Sequence, residues 1–246
     1  MLDFSTRTVL VTGATRGLGR AIAEAFLQAG ARVVGTYLSN RAAAEQFLES
    51  ARSAGWRLEL HAFDVGNYDE VERFYRLFDG TGLELDVLVN NSGIRKDGVL
   101  AMMSRDNWED VLRTNLGGTY NMSKFAIQRM MRRRFGRIIN ISSPMSRVGF
   151  AGQANYAASK AGQEGMTRSM SKEVATRGIT VNCVSPGFID TDLLADLDEE
   201  KREAYRALIP MKRFGRPQEV AEAVLFLASE HAAYVTGTVL EVSGGL

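Results

Sequence analysis

The side chains most able to do chemistry in this sequence are a tyrosine and a lysine four residues apart, Tyr156 and Lys160, with Ser143 thirteen residues before the tyrosine. If the segment 153–177 is a helix, Tyr156 and Lys160 lie one turn apart on one face. The pKa of a tyrosine is ordinarily near 10, and a neighbouring ammonium group lowers it by stabilising the phenolate. We therefore expect Tyr156 to be a general acid for a ketone or a general base for an alcohol, and Ser143 to bond the substrate oxygen. The tyrosine–lysine spacing is common on helix surfaces, so this prediction depends on a second motif.

That second motif is a glycine-rich turn near the start of the chain, in which Gly13, Gly17 and Gly19 separate an apolar strand from a helical segment. Glycine permits a tight turn and lets a pyrophosphate approach the backbone, while the helix N-terminus offers free N–H groups. The spacing Gly-x-x-x-Gly-x-Gly differs from the general Gly-x-Gly-x-x-Gly fingerprint. We expect a dinucleotide site here; the alternative is a tight strand-to-helix turn without a ligand.

The stretch that should meet the adenosine ribose, residues 35–41, contains no acidic residue. An acid at this place would bond the 2′-hydroxyl of NAD and repel a 2′-phosphate. Arg16 in the glycine turn, with Ser39 and Arg41 nearby, offers charge-assisted bonds to a phosphate instead. The sequence therefore favours NADP(H). Arg16 carries most of this prediction, because Arg41 is equally well explained as a solvated residue at the start of a helix.

Short apolar strands that alternate with longer helical segments predict the scaffold for these groups. Strands without polar alternation indicate burial on both faces, as in a parallel sheet, and the strand–helix order indicates right-handed units of a doubly wound fold. We predict one α/β domain over residues 1–246, with a mostly parallel, Rossmann-type seven-stranded sheet and helices on both faces. The predicted strands are 8–12, 31–36, 58–63, 86–90, 136–142, 179–185 and 239–242, and the predicted helices are 18–29, 40–54, 67–80, 104–131, 153–177 and 217–229.

The segment 187–214 breaks this alternation, because it is charged and weakly patterned. It follows the carboxyl end of the sixth predicted strand, where sheets of this kind bind their ligands. We interpret it as a substrate loop or lid; an ordinary surface insertion is the alternative.

The composition excludes several classes of function. A net charge of +1 provides no strong field to attract nucleic acid or an anionic membrane. One cysteine and two histidines make a zinc site very unfavourable, so no metal is expected. We find no apolar run near eighteen residues and no signal-peptide pattern at the N-terminus, so the expected location is the cytoplasm.

Further motifs join the tyrosine, the serine and the glycine turn into one family resemblance. They are Asn90-Asn91-Ser92-Gly93 after the fourth strand, Asn115 in a predicted helix, and Pro186-Gly187-Phe188-Ile189-Asp190-Thr191 after the sixth strand. Over essentially its whole length the chain resembles the short-chain dehydrogenases/reductases, although Ser92 stands where that family usually has alanine. The resemblance implies a catalytic tetrad of Asn115, Ser143, Tyr156 and Lys160, in which the asparagine holds a water that relays protons to the lysine. It also implies cofactor contacts by Gly13, Thr15, Arg16, Gly17, Leu18, Gly19, Thr36, Arg41, Asp64, Val65, Asn91, Gly93, Tyr156, Lys160, Pro186, Gly187, Ile189 and Thr191.

Within the family, the stretches Gly152-Gln153-Ala154-Asn155-Tyr156 and Arg177-Gly178-Ile179-Thr180-Val181-Asn182 resemble most those of 3-oxoacyl-[acyl-carrier-protein] reductases. This implies NADPH-dependent reduction of a carrier-linked 3-oxoacyl thioester, and a homotetramer. Reductases of polyketide, polyene or coenzyme A substrates and sugar or other secondary-alcohol dehydrogenases share these stretches, so they remain alternatives. A cofactor-sensing binding protein without turnover is the alternative from another class.

The same resemblance suggests where the carrier binds, and nearness to the tetrad in sequence suggests which residues meet the substrate. Met145 and Phe188 are candidates to line the acyl pocket beside Ser143 and Tyr156. Basic residues cluster at the end of the predicted helix before the fifth strand and at the end of the helix that follows that strand. This cluster is the candidate docking surface for an acidic acyl carrier protein. The alternative is that these residues only compensate helix dipoles at the C-terminal ends. The candidate docking residues are Arg129, Arg132, Arg133 and Arg177, with Arg134 and Arg137 close in sequence.

Overall fold

The computed structural model describes residues 2–191 and 198–246, which form a seven-stranded sheet in the order β3-β2-β1-β4-β5-β6-β7. Every pair of neighbouring strands is parallel. The predicted doubly wound α/β fold is confirmed. The strands are β1 (Thr8–Val11), β2 (Arg32–Tyr37), β3 (Arg57–Ala62), β4 (Val87–Asn90), β5 (Gly136–Ile141), β6 (Ile179–Pro186) and β7 (Val239–Val242).

Helices cover both faces of the sheet. They are α1 (Gly17–Gln28), α2 (Arg41–Ser53), α3 (Tyr68–Asp79), α4 (Arg105–Val111), α5 (Gly118–Arg133), α6 (Met145–Val148), α7 (Ala154–Val174), α8 (Glu199–Leu208) and α9 (Pro217–Ala228), with 3₁₀ turns at Leu100–Met102, Ala175–Arg177 and Glu230–Ala232. Successive side chains of a strand point to opposite faces. In β1, Val9 and Val11 therefore join the core under α1 and α9, while Leu10 joins the core under α3 and α5.

The direction in which successive strands are added to the sheet reverses between β1 and β4. These two strands are parallel neighbours, so their carboxyl ends lie at the same edge of the sheet. Ligands of open α/β sheets bind in the crevice at such a reversal. The glycine turn follows β1, Asn91 follows β4, and Ser143 follows β5, so the fold brings the sequence motifs to this one crevice.

The predicted helix 104–131 is interrupted in the structure. Between α4 and α5 lies a π-helical turn, Leu112–Gly117, which contains Asn115. After it, Gly118 packs so closely on Val65 that a β-carbon would lie 2.8 Å from Val65 Cγ2. Because an extra residue in one turn barely changes a hydrophobic pattern, the helical periodicity did not reveal this turn.

The segment 187–214 contains a helix that the sequence analysis did not predict. Asp198 caps α8 by accepting the backbone N–H of Lys201 at 2.8 Å. None of the α8 residues is buried, which explains why the segment is so weakly patterned. Part of the predicted loop, residues 192–197, lies outside the described residues.

In the described part of the chain, no helix is both long enough and apolar enough to span a bilayer. Within the same residues, no three acidic, histidine or cysteine side chains come together as metal ligands.

Candidate active site

Tyr156 and Lys160 lie on the first turns of α7, facing the end of β5. The Lys160 ammonium nitrogen is 5.6 Å from the centre of the Tyr156 ring and donates a 2.7 Å hydrogen bond to the Ile141 carbonyl oxygen. Ser143, two residues beyond Ile141, is 8% exposed, and its hydroxyl lies near enough to the Tyr156 phenol to lower the pKa of that phenol. The structure therefore brings the three predicted groups together.

The pKa of Tyr156 differs from the expectation. Burial of the phenol raises this pKa, and it outweighs the nearby Ser143 hydroxyl and the positive charge of Arg95, which both lower it. The prediction that Lys160 brings the pKa of Tyr156 below its ordinary value is therefore wrong for this structure. A raised pKa keeps the phenol protonated at neutral pH, which suits a group that donates a proton.

Lys160 is almost completely buried, at 3% exposure. Burial disfavours its charged form and lowers its pKa to about 8. The lysine therefore remains mostly an ammonium ion at neutral pH, and it loses its charge in the mildly alkaline range.

Asn115 ties three elements together from its place in the π turn. Its side-chain oxygen accepts the Ile94 N–H at 2.8 Å, and its amide nitrogen donates to the Ile94 carbonyl and to Ser159 Oγ, both at 3.0 Å. The side chain thus fixes the loop after β4 against α7, and it does so beside Lys160.

The backbone carbonyl of Asn115 is also occupied. It accepts the Thr119 hydroxyl at 2.8 Å and the Gln163 side-chain amide at 3.0 Å. A carbonyl oxygen has two lone pairs, so a relay water on this atom would share it with both donors. The relay water that the family resemblance implies stays a prediction, and Gln163 is a neighbour of the tetrad that the sequence analysis missed.

The glycine turn between β1 and α1 is shaped to receive a phosphate. Gly13 and Gly17 have positive φ angles of 65° and 51°, and a β-carbon at Gly19 would lie 2.1 Å from the Gly13 carbonyl oxygen. Arg16 caps α1 without a side-chain hydrogen bond, and the first turn of the helix holds no acidic residue. The free N–H groups and the positive end of the helix dipole are therefore available to an anion.

The loop after β4 is bound to this turn. Asn91 donates from its side-chain amide to the carbonyls of Thr12 and Gly13 at 2.9 and 3.2 Å. The backbone N–H groups of Asn91 and Ser92 both donate to the Thr12 hydroxyl at 2.9 Å. Ser92, the departure from the family pattern, therefore makes a contact through its backbone that alanine would also make.

The residues predicted to select the cofactor occupy different environments. Thr36 is buried at the end of β2, and its hydroxyl accepts the Gly13 N–H at 3.4 Å. Arg41 pairs with Glu45 on its own helix at 2.8 Å, beside a groove of about 480 Å³ at the carboxyl ends of β2 and β3. Arg16 is exposed; its backbone carbonyl accepts the Arg20 N–H at 3.1 Å, and its guanidinium group has no hydrogen bond or ion pair among the residues that the structure describes.

The other predicted cofactor residues line the same edge of the sheet. Asp64 accepts the Gly66 N–H at 2.8 Å and pairs with Arg113 at 2.5 Å, and Val65 is buried beside it. Gly93 lies against Asn115 and Lys160, since a β-carbon there would be 3.7 Å from the lysine nitrogen. Thr15 is buried within the glycine turn and Leu18 is half-buried.

The segment after β6 is held in place at both ends of its described part. Gly187 donates to the Val242 carbonyl at 3.0 Å, and Ile189 pairs with Gly215 in a single parallel bridge. Pro186 ends β6, and Gly187, Ile189 and Thr191 follow it. Their contacts with the cofactor stay predictions.

Three aromatic rings pack together between α8 and the segments that follow β5 and β6. Phe188 stacks on Tyr205 of α8 with a centroid distance of 4.8 Å and an interplanar angle of 12°. Phe150, which follows α6, meets the edge of the same Tyr205 ring at 6.0 Å. Tyr205 therefore attaches α8 to the predicted substrate residue Phe188 and to the segment between β5 and α7, which contains Ser143 and Met145.

Comparison with known proteins agrees with this geometry. A family model described as enoyl-(acyl carrier protein) reductase matches residues 13–246. The 3-oxoacyl-[acyl-carrier-protein] reductase FabG of Vibrio harveyi is 45% identical over 245 residues, which cover 100% of this chain and 99% of that protein. The protein of the same name from Escherichia coli strain K12 is 44% identical with the same coverage.

The chain belongs to the short-chain dehydrogenase/reductase family.

A solved structure agrees as well. A protein from Agrobacterium tumefaciens assigned as a gluconate dehydrogenase matches with a TM-score of 0.95 and 36% sequence identity, over 98% of this chain and 96% of that one. Family membership confirms the predicted oxidoreductase class and the resemblance to 3-oxoacyl-[acyl-carrier-protein] reductases. The individual site residues stay predictions that the geometry described above supports.

The predicted docking arginines of this short-chain reductase lie far from the tetrad. They cluster where α5 ends and β5 begins, whereas Ser143 follows the other end of β5, and a strand of six residues spans about 20 Å. Arg129 pairs with Asp79 at 2.5 Å, and Arg133 pairs with Glu84 and Asp86 at 2.9 and 3.1 Å. Arg132 and Arg177 are exposed, while Arg137 is buried against Glu230.

Proposed function

We propose that this protein reduces the C3 ketone of a 3-oxoacyl thioester on acyl carrier protein to the 3-hydroxyacyl thioester, with NADPH as cofactor. The observation that carries the proposal is the convergence of the Ser143 hydroxyl, the Tyr156 phenol and the Lys160 ammonium group beside the glycine turn. The full-length similarity to reductases named for this substrate supports the choice of ketone.

The residues present fit the cofactor. The backbone of the glycine turn and the N-terminus of α1 would hold the pyrophosphate, and Arg16 would meet the 2′-phosphate, with Arg41 near it. Asp64 and Val65 would contact the adenine, and the segment from Pro186 to Thr191 would lie against the nicotinamide. When bound, NADPH supplies the hydride.

The chain itself supplies the proton and the orientation. The Tyr156 phenol, kept protonated by its raised pKa, donates its proton to the substrate oxygen as negative charge develops there. The Ser143 hydroxyl donates a hydrogen bond to the same oxygen, which stabilises that charge. The Lys160 ammonium group, held by the Ile141 carbonyl at 2.7 Å, stabilises the phenolate that remains until it is reprotonated.

Initial rates test the activity most directly. We expect the highest kcat/KM with NADPH and acetoacetyl-[acyl carrier protein], a lower value with acetoacetyl coenzyme A, and no NADP-dependent oxidation of gluconate. The proposal is overturned if neither thioester is reduced although NADPH binds. A preference for coenzyme A, for a polyketide or polyene ketone, or for gluconate would identify the corresponding alternative.

A binding protein without turnover is separated from an enzyme by the same assay. If the protein binds NADPH but reduces none of these ketones, and if the Tyr156→Phe variant preserves the phenotype of the cell, the sensing alternative is correct.

Carrier docking is also part of the proposal. Because Arg129 and Arg133 are held in ion pairs, the exposed Arg132 and Arg177 are the residues available to an acidic carrier. A carrier bound there would have to span about 20 Å or serve a neighbouring subunit. We therefore include the predicted homotetramer, which light scattering tests, and the cytoplasmic location stays a prediction.

Charge reversal tests the docking surface. The double variant Arg132→Glu/Arg177→Glu should raise KM for the carrier-linked substrate about tenfold and leave the coenzyme A substrate unchanged. The control Arg52→Glu/Arg76→Glu reverses two exposed arginines on α2 and α3. This docking surface would be excluded if KM rose equally for the carrier-linked and the coenzyme A substrate. It would also be excluded if the control variant raised KM for the carrier-linked substrate as much as the docking variant does.

A further inference from the structure

Glu164 is a buried carboxylate that the proposed reaction does not use. It lies one turn beyond Lys160 on α7 and is 3% exposed. Glutamate is almost never fully buried unless its charge is paired or hydrogen-bonded. The guanidinium group of Arg168 is 3.5 Å away, but that side chain is 56% exposed, so the ion pair is long and partly solvated.

The hydrogen bonds to this carboxylate come from the two sides of Ser143. Glu164 Oε1 accepts the Ser142 hydroxyl at 2.7 Å and the Ser146 hydroxyl at 2.6 Å. The Ser146 hydroxyl oxygen is also 2.7 Å from the Ser143 carbonyl oxygen. One carboxylate oxygen on α7 therefore holds the chain immediately before and shortly after the predicted catalytic serine.

Besides these bonds, the segment is held by the Ser142 N–H, which donates to the Val184 carbonyl at 2.7 Å, and by an ion pair between Arg147 and Glu241. β5 ends at Ile141, and α6 is a single turn of four residues, which is too short to be stable alone. The Ser143 hydroxyl is oriented by the Met145 N–H at 3.3 Å and by its approach to Tyr156. A shift of the segment along α7 would therefore move the Ser143 hydroxyl away from the phenol.

We propose that Glu164 is a positioning residue for Ser143: its carboxylate, through the hydroxyls of Ser142 and Ser146, fixes the catalytic serine against Tyr156. The inference rests on the proposed function, because it assumes that Ser143 bonds the substrate oxygen. It explains why consecutive serines have different partners, since Ser142 faces Glu164 and Ser143 faces Tyr156. A displacement on the order of 1 Å at such a group costs about 100-fold in rate.

Four variants test this role. Glu164→Leu removes both acceptor bonds with little change in volume, and Glu164→Gln keeps the shape and an acceptor oxygen. Ser142→Ala/Ser146→Ala removes the same bonds from the other side. Glu173→Leu is the matched control on α7, because Glu173 also accepts a serine hydroxyl, from Ser169 at 3.2 Å, but on the exposed face.

The decisive measurement is kcat on an acetoacetyl thioester in two backgrounds, wild type and Ser143→Ala. We expect Glu164→Leu to lower kcat about 30-fold in the wild type and less than about threefold in Ser143→Ala, because the serine that it positions is then absent. Glu164→Gln should recover kcat to within about fivefold of wild type. The NADPH Kd and the activity of Glu173→Leu should stay unchanged.

Other outcomes decide against the proposal. Equal losses in both backgrounds would mean that Glu164 acts by stabilising the fold, and an unchanged kcat for Glu164→Leu would exclude any role. If Glu164→Leu does not fold, the serine double variant is measured in the same two backgrounds with the same expectation. If Ser143→Ala alone retains the wild-type kcat, the proposed catalytic role of Ser143 is wrong. That result would contradict the proposed function, and it would leave the hydrogen bonds between Glu164 and the serine segment as they are.

Discussion

The interior wall and the exposed rim of the candidate site are built from different interactions. The interior wall is the face of α7 that carries Asn155, Lys160, Gln163, Glu164 and Thr167, all at most 3% exposed. The rim consists of Arg16 and of α8, which buries none of its residues and is attached to the crevice by Tyr205. The wall therefore holds buried polar groups that hydrogen bonds fix in place, whereas the rim is exposed and its charged groups pair at the surface, as Arg202 does with Asp190.

The two regions therefore differ in how firmly the protein holds their side chains in position. Buried polar networks are costly when they are incomplete, but they fix positions sharply when each group has a partner. Segments with little buried surface open at low free energy and are suited to admit ligands. We therefore expect changes in the wall to act on kcat, and changes in the rim to act on KM and on cofactor preference.

The largest effect is expected from Tyr156→Phe, on α7 next to the interior wall. Removal of the only proposed proton donor should lower kcat about 1000-fold, because general acid catalysis contributes about 100- to 10,000-fold. NADPH affinity should change little, since the ring remains. Initial rates and a fluorescence titration of NADPH measure the two quantities, and Tyr120→Phe, at an exposed position on α5, is the control. A rate close to that of wild type would show that another group supplies the proton.

The next effect concerns the charge of Lys160. Because its pKa is about 8, kcat/KM for reduction should be nearly constant below this pH. It should fall about tenfold for each pH unit above it, as the ammonium group loses its proton. A profile that stays flat to pH 10 would contradict the requirement for this charge.

The burial of Lys160 also predicts a change in stability. The ordinary pKa of lysine, 10.5, applies to the unfolded chain, so between pH 8 and 10.5 the unfolded state holds more protons than the folded state. The free energy of unfolding therefore rises with pH in this window, relative to Lys160→Met. At pH 7 that variant should be more stable by up to roughly 3 kcal/mol, and the gain should vanish near pH 10.5. Urea unfolding at several pH values measures this gain in the free energy of unfolding. A gain that does not change with pH would show that it does not come from burial of the Lys160 charge.

At the rim, Arg16→Ala should separate the two cofactors. Loss of a charge-assisted bond to the 2′-phosphate should weaken NADPH binding about 30-fold and leave NADH nearly unchanged. Arg41→Ala provides the comparison, because that side chain is already paired with Glu45. Similar losses for NADPH and NADH would show that Arg16 does not contact the phosphate.

A smaller rim effect is expected from Tyr205→Ala. The substitution removes the ring that joins α8 to Phe188 and Phe150, so we expect KM for the thioester to rise about fivefold with kcat within twofold of wild type. Tyr205→Phe keeps the ring and should behave as wild type. A loss confined to kcat would place Tyr205 with the interior wall instead.

The smallest effect should come from Ser92→Ala, at the one departure from the family pattern. Ser92 contacts Thr12 through its backbone N–H, and alanine preserves that bond. The NADPH Kd and kcat should therefore stay within about twofold of wild type, because surface or half-buried substitutions of this kind change little. A loss above tenfold would reveal a function of the Ser92 hydroxyl in the cofactor site.

The fold was predictable because its signals are local. Strands such as β1 and β4 are short, mostly apolar runs, and the glycine turn marks the passage into α1. The group of Ser143, Tyr156 and Lys160 was also predictable, since strand order brings the ends of β5 and α7 to one crevice. The π turn and α8 were not, because neither one extra residue in a helix nor a helix without a buried face leaves a hydrophobic pattern.

The neighbours of the tetrad could not be identified from residue types. Gln163 and Glu164 are polar residues in the middle of α7, where a sequence pattern suggests an exposed face. They are buried because the helix packs on the π turn and on the segment after β5, so that their partners lie 48 residues away at Asn115 and 22 residues away at Ser142.

By itself, the sequence determined the parallel sheet, the glycine turn and the chemical types of the groups proposed to do the reaction, because strand burial, glycine spacing and helical spacing are properties of neighbouring residues. Only the tertiary structure decided the protonation of these groups and their surroundings. Burial raises the pKa of Tyr156 and lowers that of Lys160, and the distance of the arginine cluster from the tetrad follows from the direction of β5. Desolvation and position depend on atoms that are distant in sequence, and these come together only when the chain is folded.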